Sequence, residues 1–209
     1  FVLAELSDWG LLDIVLRSDQ EPAIFSLCSE VKRRRELLGH KVIEEKGPPY
    51  SHASLGNVER GNRSAEQQVR CVSAALLDAC GYELAATSGL LPWAIRHAGW
   101  TLHRYRVLDT GRTSFRHIRG RDYRGEICVL GEQVWARGYR PSVQDAKLSL
   151  RWRAGTWLGK VSASDEHIVA LDGGATAFKT RAVRRKPQTE RWSRQALENI
   201  SCTPWTTGE

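Results

Sequence analysis

No methionine occurs anywhere in the 209 residues. A translation product starts with one, so the absence predicts a piece of a longer protein, either a processed segment or a truncated gene model. Cysteine is sparse and odd in number: Cys28, Cys71, Cys80, Cys128 and Cys202, with no CxxC pair. That excludes a disulfide framework and a zinc knuckle, and makes a reducing intracellular compartment the default. No apolar run approaches the roughly 18 residues of a membrane span. The start, Phe1-Val2-Leu3-Ala4-Glu5, lacks the basic flank of a signal peptide. There is no Gly-rich phosphate loop, no nucleophile elbow and no HExxH. His40 and His52 have no partners at metal spacing and read as structural histidines, and Ser51-His52 has no third group beside it.

What remains is an ordinary globular composition, 41% apolar and 26% charged, with a net charge of +7. The length allows one large domain or two small ones. The charge is unevenly placed. Residues 1–90 hold 10 Lys/Arg against 13 Asp/Glu, and residues 91–209 hold 21 against 11. An acidic-to-neutral front and a strongly basic rear point to a catalytic part and a polyanion-holding part. Arg outnumbers Lys, which suits bidentate phosphate contacts.

The pattern predicts the end of a helix over residues 1–9 and a short strand from Leu11 to Arg17, closing at Asp19. Pro22 opens a helix to about Leu38, and His40 to Glu45 reads as a strand. After the loop at Gly47-Pro48-Pro49-Tyr50-Ser51, a long helix runs from about Asn57 to Cys80, with Val58, Val69, Val72, Leu76 and Leu77 as its stripe and Gly81 as its stop. Pro92 opens another helix to about Val107, with Trp93, Ile95, Trp100 and Leu102 as core residues. From Gly131 the period changes. Residues 133–137, 155–160, 167–171 and 179–185 read as strands, with a Gly173-Gly174 turn, and predict a small β-barrel.

Two acidic residues stand at positions with chemical meaning. Asp19 closes a short strand, and Glu59 sits in the first turn of the long helix. Singly, a loop-opening Asp and a dipole-complementing Glu explain them. As a pair they could share Mg²⁺, a hard cation held by one or two carboxylates plus phosphate oxygens. Two such ions about 3.5–4 Å apart promote phosphoryl transfer.

The segments Leu16-Arg17-Ser18-Asp19-Gln20-Glu21-Pro22 and Gly56-Asn57-Val58-Glu59-Arg60-Gly61-Asn62-Arg63 resemble those around the second and third acids of DDE-type integrases of copia-type LTR retrotransposons. The stretch from Thr110 to Tyr123, which opens Thr110-Gly111-Arg112-Thr113-Ser114-Phe115, resembles the basic segment behind that core. The stretch from Gly131 to Lys160 resembles the small barrel of retroviral-type integrases. Departures are Gln20-Glu21 for the usual Asn-Gly, an inverted Gly56-Asn57, and a slightly long interval that the Gly47-Pro48-Pro49 loop would absorb.

The resemblance implies that Asp19 and Glu59 are the catalytic, metal-binding acids, with Asn62 and Arg63 trailing them on the next turn. It implies two Mg²⁺ ions, DNA partners (element ends and target) and a homo-oligomeric parent. The first acid of the family has no counterpart here: Asp8 and Asp13 stand too close to Asp19. The expected parent is therefore N-terminally longer, and this chain alone is expected to perform no strand transfer.

Arg60, Arg63 and Arg70 recur along the helix and read either as phosphate contacts or as a solvated face paired with Glu66. Lys32-Arg33-Arg34-Arg35 complements a helix end, with nuclear import as the sharper alternative. His103 to Arg124 holds seven Arg, among them Arg116, Arg119 and Arg121, interleaved with Tyr105, Phe115 and Tyr123. That composition suits nucleic acid or an unstructured linker. In the barrel, Lys160, Lys179, Arg181, Arg184, Arg185 and Lys186 are the DNA candidates. Trp135, Trp152 and Trp157 read as core or barrel-edge residues.

The expected fold is α/β, a partial RNase H-like integrase core, followed by a small all-β barrel. Its expected parts are the core half over 1–90, a basic helical linker over 91–128, the DNA-binding barrel over 129–187 and a loosely ordered tail over 188–209. The expected role is DNA integration, as a nucleic-acid-binding piece of a nuclear or cytoplasmic-particle integrase that touches no membrane. A non-catalytic DNA-binding or chromatin-interaction protein derived from a retroelement is the alternative.

Overall fold

A computed structural model describes residues 2–18, 21–46, 56–138 and 150–206. Among these residues the fold is mixed α/β, with one parallel and one antiparallel sheet. The chain divides into two compact units, Phe1–Ser64 and Ala65–Glu209. The division falls inside a helix rather than at the expected 90/91 boundary.

The first unit contains α1 (Val2–Asp8), β1 (Ile14–Ser18), α2 (Pro22–Leu37) and β2 (Val42–Lys46). β1 and β2 run parallel, with Ile14 opposite Val42 and Ser18 opposite Lys46. Parallel neighbours need a crossover, and α2 supplies it. Pro22 at its first turn costs no hydrogen bond there. The basic run on α2 proves heterogeneous. Arg33 and Arg34 both pair with Glu30 one turn back. Arg35 is buried, and its guanidinium donates to the carbonyls of Leu11 and Leu12. A buried guanidinium needs such acceptors, and here they tie α2 to the chain entering β1.

α3 (Gly56–Cys80) begins in the first unit and ends in the second. It stops where Gly81 takes φ 66°, a left-handed conformation that favours glycine. The second unit continues with α4 (Leu91–Tyr105), α5 (Ser114–Arg119), β3 (Gln133–Arg137), β4 (Trp152–Lys160), β5 (His167–Leu171), β6 (Thr176–Thr180), β7 (Val183–Arg185) and α6 (Arg194–Glu198). The five strands form one antiparallel sheet in the order β6-β5-β4-β3-β7.

That order makes the sheet curl. A flat sheet would set β6 and β7 about 19 Å apart, four strand spacings. The two residues between Thr180 and Val183 reach at most about 11 Å. The link is pinned by Arg137, whose N–H donates to the Ala182 carbonyl at 3.0 Å, and by Thr180, whose hydroxyl donates to the Arg137 carbonyl at 2.9 Å. Gly159 helps the bend. It takes φ 136° where the β4–β5 register shifts, as bulges do. Among the described residues β6 and β7 do not pair, so the expected closed barrel is an open, curled sheet. The strand expected over 179–185 is two short strands broken at this crossing.

Side-chain alternation gives the sheet two apolar faces. Trp157, Val169 and Leu171 pack inside the curl with Cys128, Val134 and Ala136. Leu158, Ile168 and Ala170 face the other way, against Leu76 of α3 and Trp93 and Ala94 of α4. β5 is therefore buried on both sides, which explains its unbroken apolar run.

Two sequence expectations are corrected here. Residues 91–128 are not a linker, since α4 contributes Trp93 to the same core as Leu130 and Ile168. The described residues after Pro187, through Thr206, pack on this core. Ser193 caps α6 by accepting the Ala196 N–H at 3.3 Å, Leu197, Ile200 and Cys202 are buried, and the Trp93 indole N–H donates to the Cys202 carbonyl at 2.8 Å. No helix among the described residues is long and apolar enough to cross a membrane.

Candidate nucleic-acid interface

Asp19 lies outside the described residues; the strand before it, β1, ends at Ser18. Glu59 is exposed in the first turn of α3, where its charge complements the helix dipole. Among the described residues no three His, Cys, Asp or Glu gather as a metal site. Glu59 is thus the one expected acid on view, and a single carboxylate makes no ion site.

The expected DNA contacts separate into three groups. Arg60, Asn62 and Arg63 are exposed on the early turns of α3, and Arg116, Arg119 and Arg121 are exposed at and after α5, with Arg116 at 3.2 Å from Asp122. Arg70 pairs with Glu66 at 3.2 Å on an exposed face. Lys179, Arg181 and Arg137 line an open cleft of about 470 Å³ at the β6–β7 crossing, together with Thr180 and Glu166. Arg181 is 91% exposed and stands 3.6 Å from Glu166, a weak surface pair.

Two expected contacts are structural instead. Lys160 is 3% exposed, and its ammonium is held by Asp165 at 2.8 Å and approaches the Tyr123 hydroxyl at 3.3 Å. Arg185 makes a double contact, 2.7 Å from each arm, with the fully buried Glu132. Glu132 also accepts the Val129 N–H at 3.1 Å and has Arg191 at 3.5 Å. A buried carboxylate needs such compensation. Arg184 and Arg185 are neighbours on β7, so their side chains take opposite faces.

The aromatic–basic stretch from His103 to Arg124 is likewise divided. Phe115 and Tyr123 turn inward, and with Trp100 they surround the buried guanidinium of Arg104. Its carbon lies 4.3, 5.3 and 5.3 Å from the ring centres of Trp100, Phe115 and Tyr123. Burial and donation to Asp165 at 2.6 Å push the Tyr123 hydroxyl pKa up. The other arginines of that stretch remain outside.

The outward face of β3, β4 and β7 departs from the sequence reading. On β3, Val134 and Ala136 point inward, so Trp135 and Arg137 point out. The ladder sets Trp135 opposite Arg184 of β7, and Arg137 opposite Trp152 of β4. The Arg184 guanidinium lies 4.5 Å from the Trp152 ring centre, and the Lys186 ammonium 4.8 Å from that of Trp135. Trp135 is 38% exposed. Of the three tryptophans read as core or barrel-edge residues, Trp157 is core, and Trp135 and Trp152 lie on the outward face. The signal was in the sequence: Gln133-Val134-Trp135-Ala136-Arg137 alternates, and the small apolar residues claim the inner positions.

Cations stacked on exposed rings contribute about 0.5–1 kcal/mol each. A nucleic-acid base stacked on an aromatic side chain contributes about 1–3 kcal/mol.

No protein-family model matches the chain, and no curated protein matches it. Among solved structures, the chain is similar to one titled as the cryoEM structure of a simian T-cell lymphotropic virus intasome in complex with PP2A regulatory subunit B56 gamma, with 17% sequence identity and a TM-score of 0.41. The match covers 88% of this chain and 61% of that chain. At that level the likeness carries no statement about function.

Proposed function

We propose that this chain is the nucleic-acid-holding part of a DDE-type integrase, of the copia-type kind that its two acidic segments resemble. The observation that carries the reading is the outward β3–β4–β7 face, where Arg137, Arg184 and Lys186 alternate with Trp135 and Trp152. Cations interleaved with accessible aromatics recognise a polyanion bearing flat bases, and the basic excess of residues 91–209 would raise its local concentration.

In the parent, Asp19 and Glu59 would hold the ions, and the exposed arginines of α3 would bear on DNA phosphates. Strand transfer joins a 3′-hydroxyl to a target phosphodiester, and two carboxylates are an incomplete site for it. The chain alone binds DNA and joins none.

The test is fluorescence anisotropy of the purified chain with a labelled DNA duplex across a salt series, followed by a Mg²⁺ strand-transfer assay. Affinity falls log-linearly with salt, and Arg184→Ala lowers the slope by about 0.9 if it neutralises one phosphate. Absence of DNA binding overturns the reading. Mg²⁺-dependent joining by the chain alone overturns the claim that its site is incomplete. Strand transfer by the longer parent surviving Asp19→Asn with Glu59→Gln would leave the non-catalytic DNA-binding alternative.

A further inference from the structure

We infer that the β3–β4–β7 face is a platform for unpaired nucleotides and prefers single-stranded nucleic acid to duplex. The inference rests on the nucleic-acid reading above and names which form of nucleic acid this face takes.

Ring placement favours unpaired bases. Trp135 lies opposite Ala154, and Trp152 is two residues along the same strand. The two tryptophans are thus diagonal neighbours on one face, about 7–8 Å apart at Cα. Bases of a duplex strand are stacked at about 3.4 Å intervals and have both flat faces occupied by their neighbours. Two rings at the diagonal spacing receive two bases only if those bases are unstacked from each other, a state open to a single strand.

The state of the rings favours them as well. Each now carries one of the chain's own cations, Lys186 over Trp135 and Arg184 over Trp152. A base takes the cation's place on the ring, and the freed ammonium or guanidinium meets the phosphate of the same nucleotide. The exchange leaves no cation unpaired and no ring bare. Duplex DNA has phosphates for the cations but no free base face for the rings, so it gains only half of this exchange.

The face is also continuous with further cations. Arg137, opposite Trp152 on this face, also lines the cleft that holds Lys179 and Arg181. A strand leaving the rings past Trp152 therefore finds further cations for its next phosphates. Such a track fits a flexible backbone.

The test compares a labelled oligothymidylate with a blunt duplex of equal length at one salt concentration, by anisotropy on the whole chain. The oligothymidylate binds at least tenfold more tightly. Trp135→Ala and Trp152→Ala each weaken its binding about tenfold and change duplex binding less than twofold. Trp135→Phe keeps most of the affinity, since it keeps a ring, and guards against a folding artefact in the alanine variant. Arg184→Ala weakens both ligands. Equal affinity for both ligands, or loss of both to the same extent in the tryptophan variants, overturns the platform while leaving DNA binding intact. Failure to bind either ligand overturns the nucleic-acid reading itself.

Discussion

Residues 1–64 and residues 65–209 differ in how their apolar side chains are used. In the first unit, a parallel pair of strands leaves Val15 and Ile43 side by side and exposed, 53% and 43%. Leu27 on α2 is 51% exposed as well. Parallel strands are normally covered on both faces, and a two-stranded sheet has little stability of its own. In the second unit, apolar residues pack on both sides of β5, and Trp93, Leu158, Ile168 and Leu197 are essentially inaccessible. A polar function can sit outside such a core without competing with it. The acids that resemble a catalytic set belong to the first, thinly packed unit; the basic–aromatic face belongs to the second.

The comparison predicts unequal costs of substitution. Trp93→Ala removes a buried ring and its hydrogen bond to the Cys202 carbonyl. It destabilises the second unit by about 3–5 kcal/mol, read as a lowered urea midpoint. Among the described residues, Arg185→Met leaves the buried Glu132 with Arg191 as its remaining counter-ion, and costs about 3 kcal/mol by the same measurement. If both variants unfold like the parent chain, the second unit is not the closely packed body described here.

The second unit also carries an acid sensitivity. Burial, with Arg96 nearby, pushes His97 down to about 4. Burial, with Lys160 nearby, pushes His167 down to about 4 as well. His167 Nδ1 accepts the Trp157 indole N–H at 3.0 Å, which requires the neutral ring. Both pKa values lie below the unfolded value near 6.5. The unfolded chain therefore binds more protons between them, and stability rises with pH. The contribution is complete above pH about 6.5 and is lost as pH falls to about 4, roughly 2 kcal/mol per histidine. Urea midpoints measured from pH 7 to pH 4 check this, and His167→Gln flattens the dependence.

The smallest effect belongs to the first unit. Ile43→Thr, on the exposed face of β2, changes stability by less than about 0.5 kcal/mol. A loss comparable to that of Trp93→Ala would erase the contrast between the two units.

The helices were the most legible part of the sequence. Val69, Val72 and Leu76 mark the buried side of α3, and Gly81 ends it by a local conformational preference. β3 and β5 were legible because alternation and unbroken apolarity reflect one-sided and two-sided burial. The crossing at Arg181-Ala182 was not, because it depends on the curl that brings opposite sheet edges together. The order after Pro187 was hidden for a similar reason. α6 is one short turn, and Ile200 and Cys202 gain their meaning only against Trp93 and Gly174. At the site, composition identified basic residues but not their direction. Arg184 and Arg185 are adjacent, yet one stacks on Trp152 and the other closes on a buried carboxylate. Strand parity decides between them, and it could be read for β3 but not for a strand whose limits were merged with β6.

The most direct measurement is photocrosslinking of the chain to a bromouracil-containing oligonucleotide, with the crosslinked peptides identified by mass spectrometry. The account predicts adducts at Trp135 or Trp152, competed away by unlabelled oligothymidylate. Adducts confined to residues 2–64, or placed in the second unit away from the β3–β4–β7 face, would contradict it.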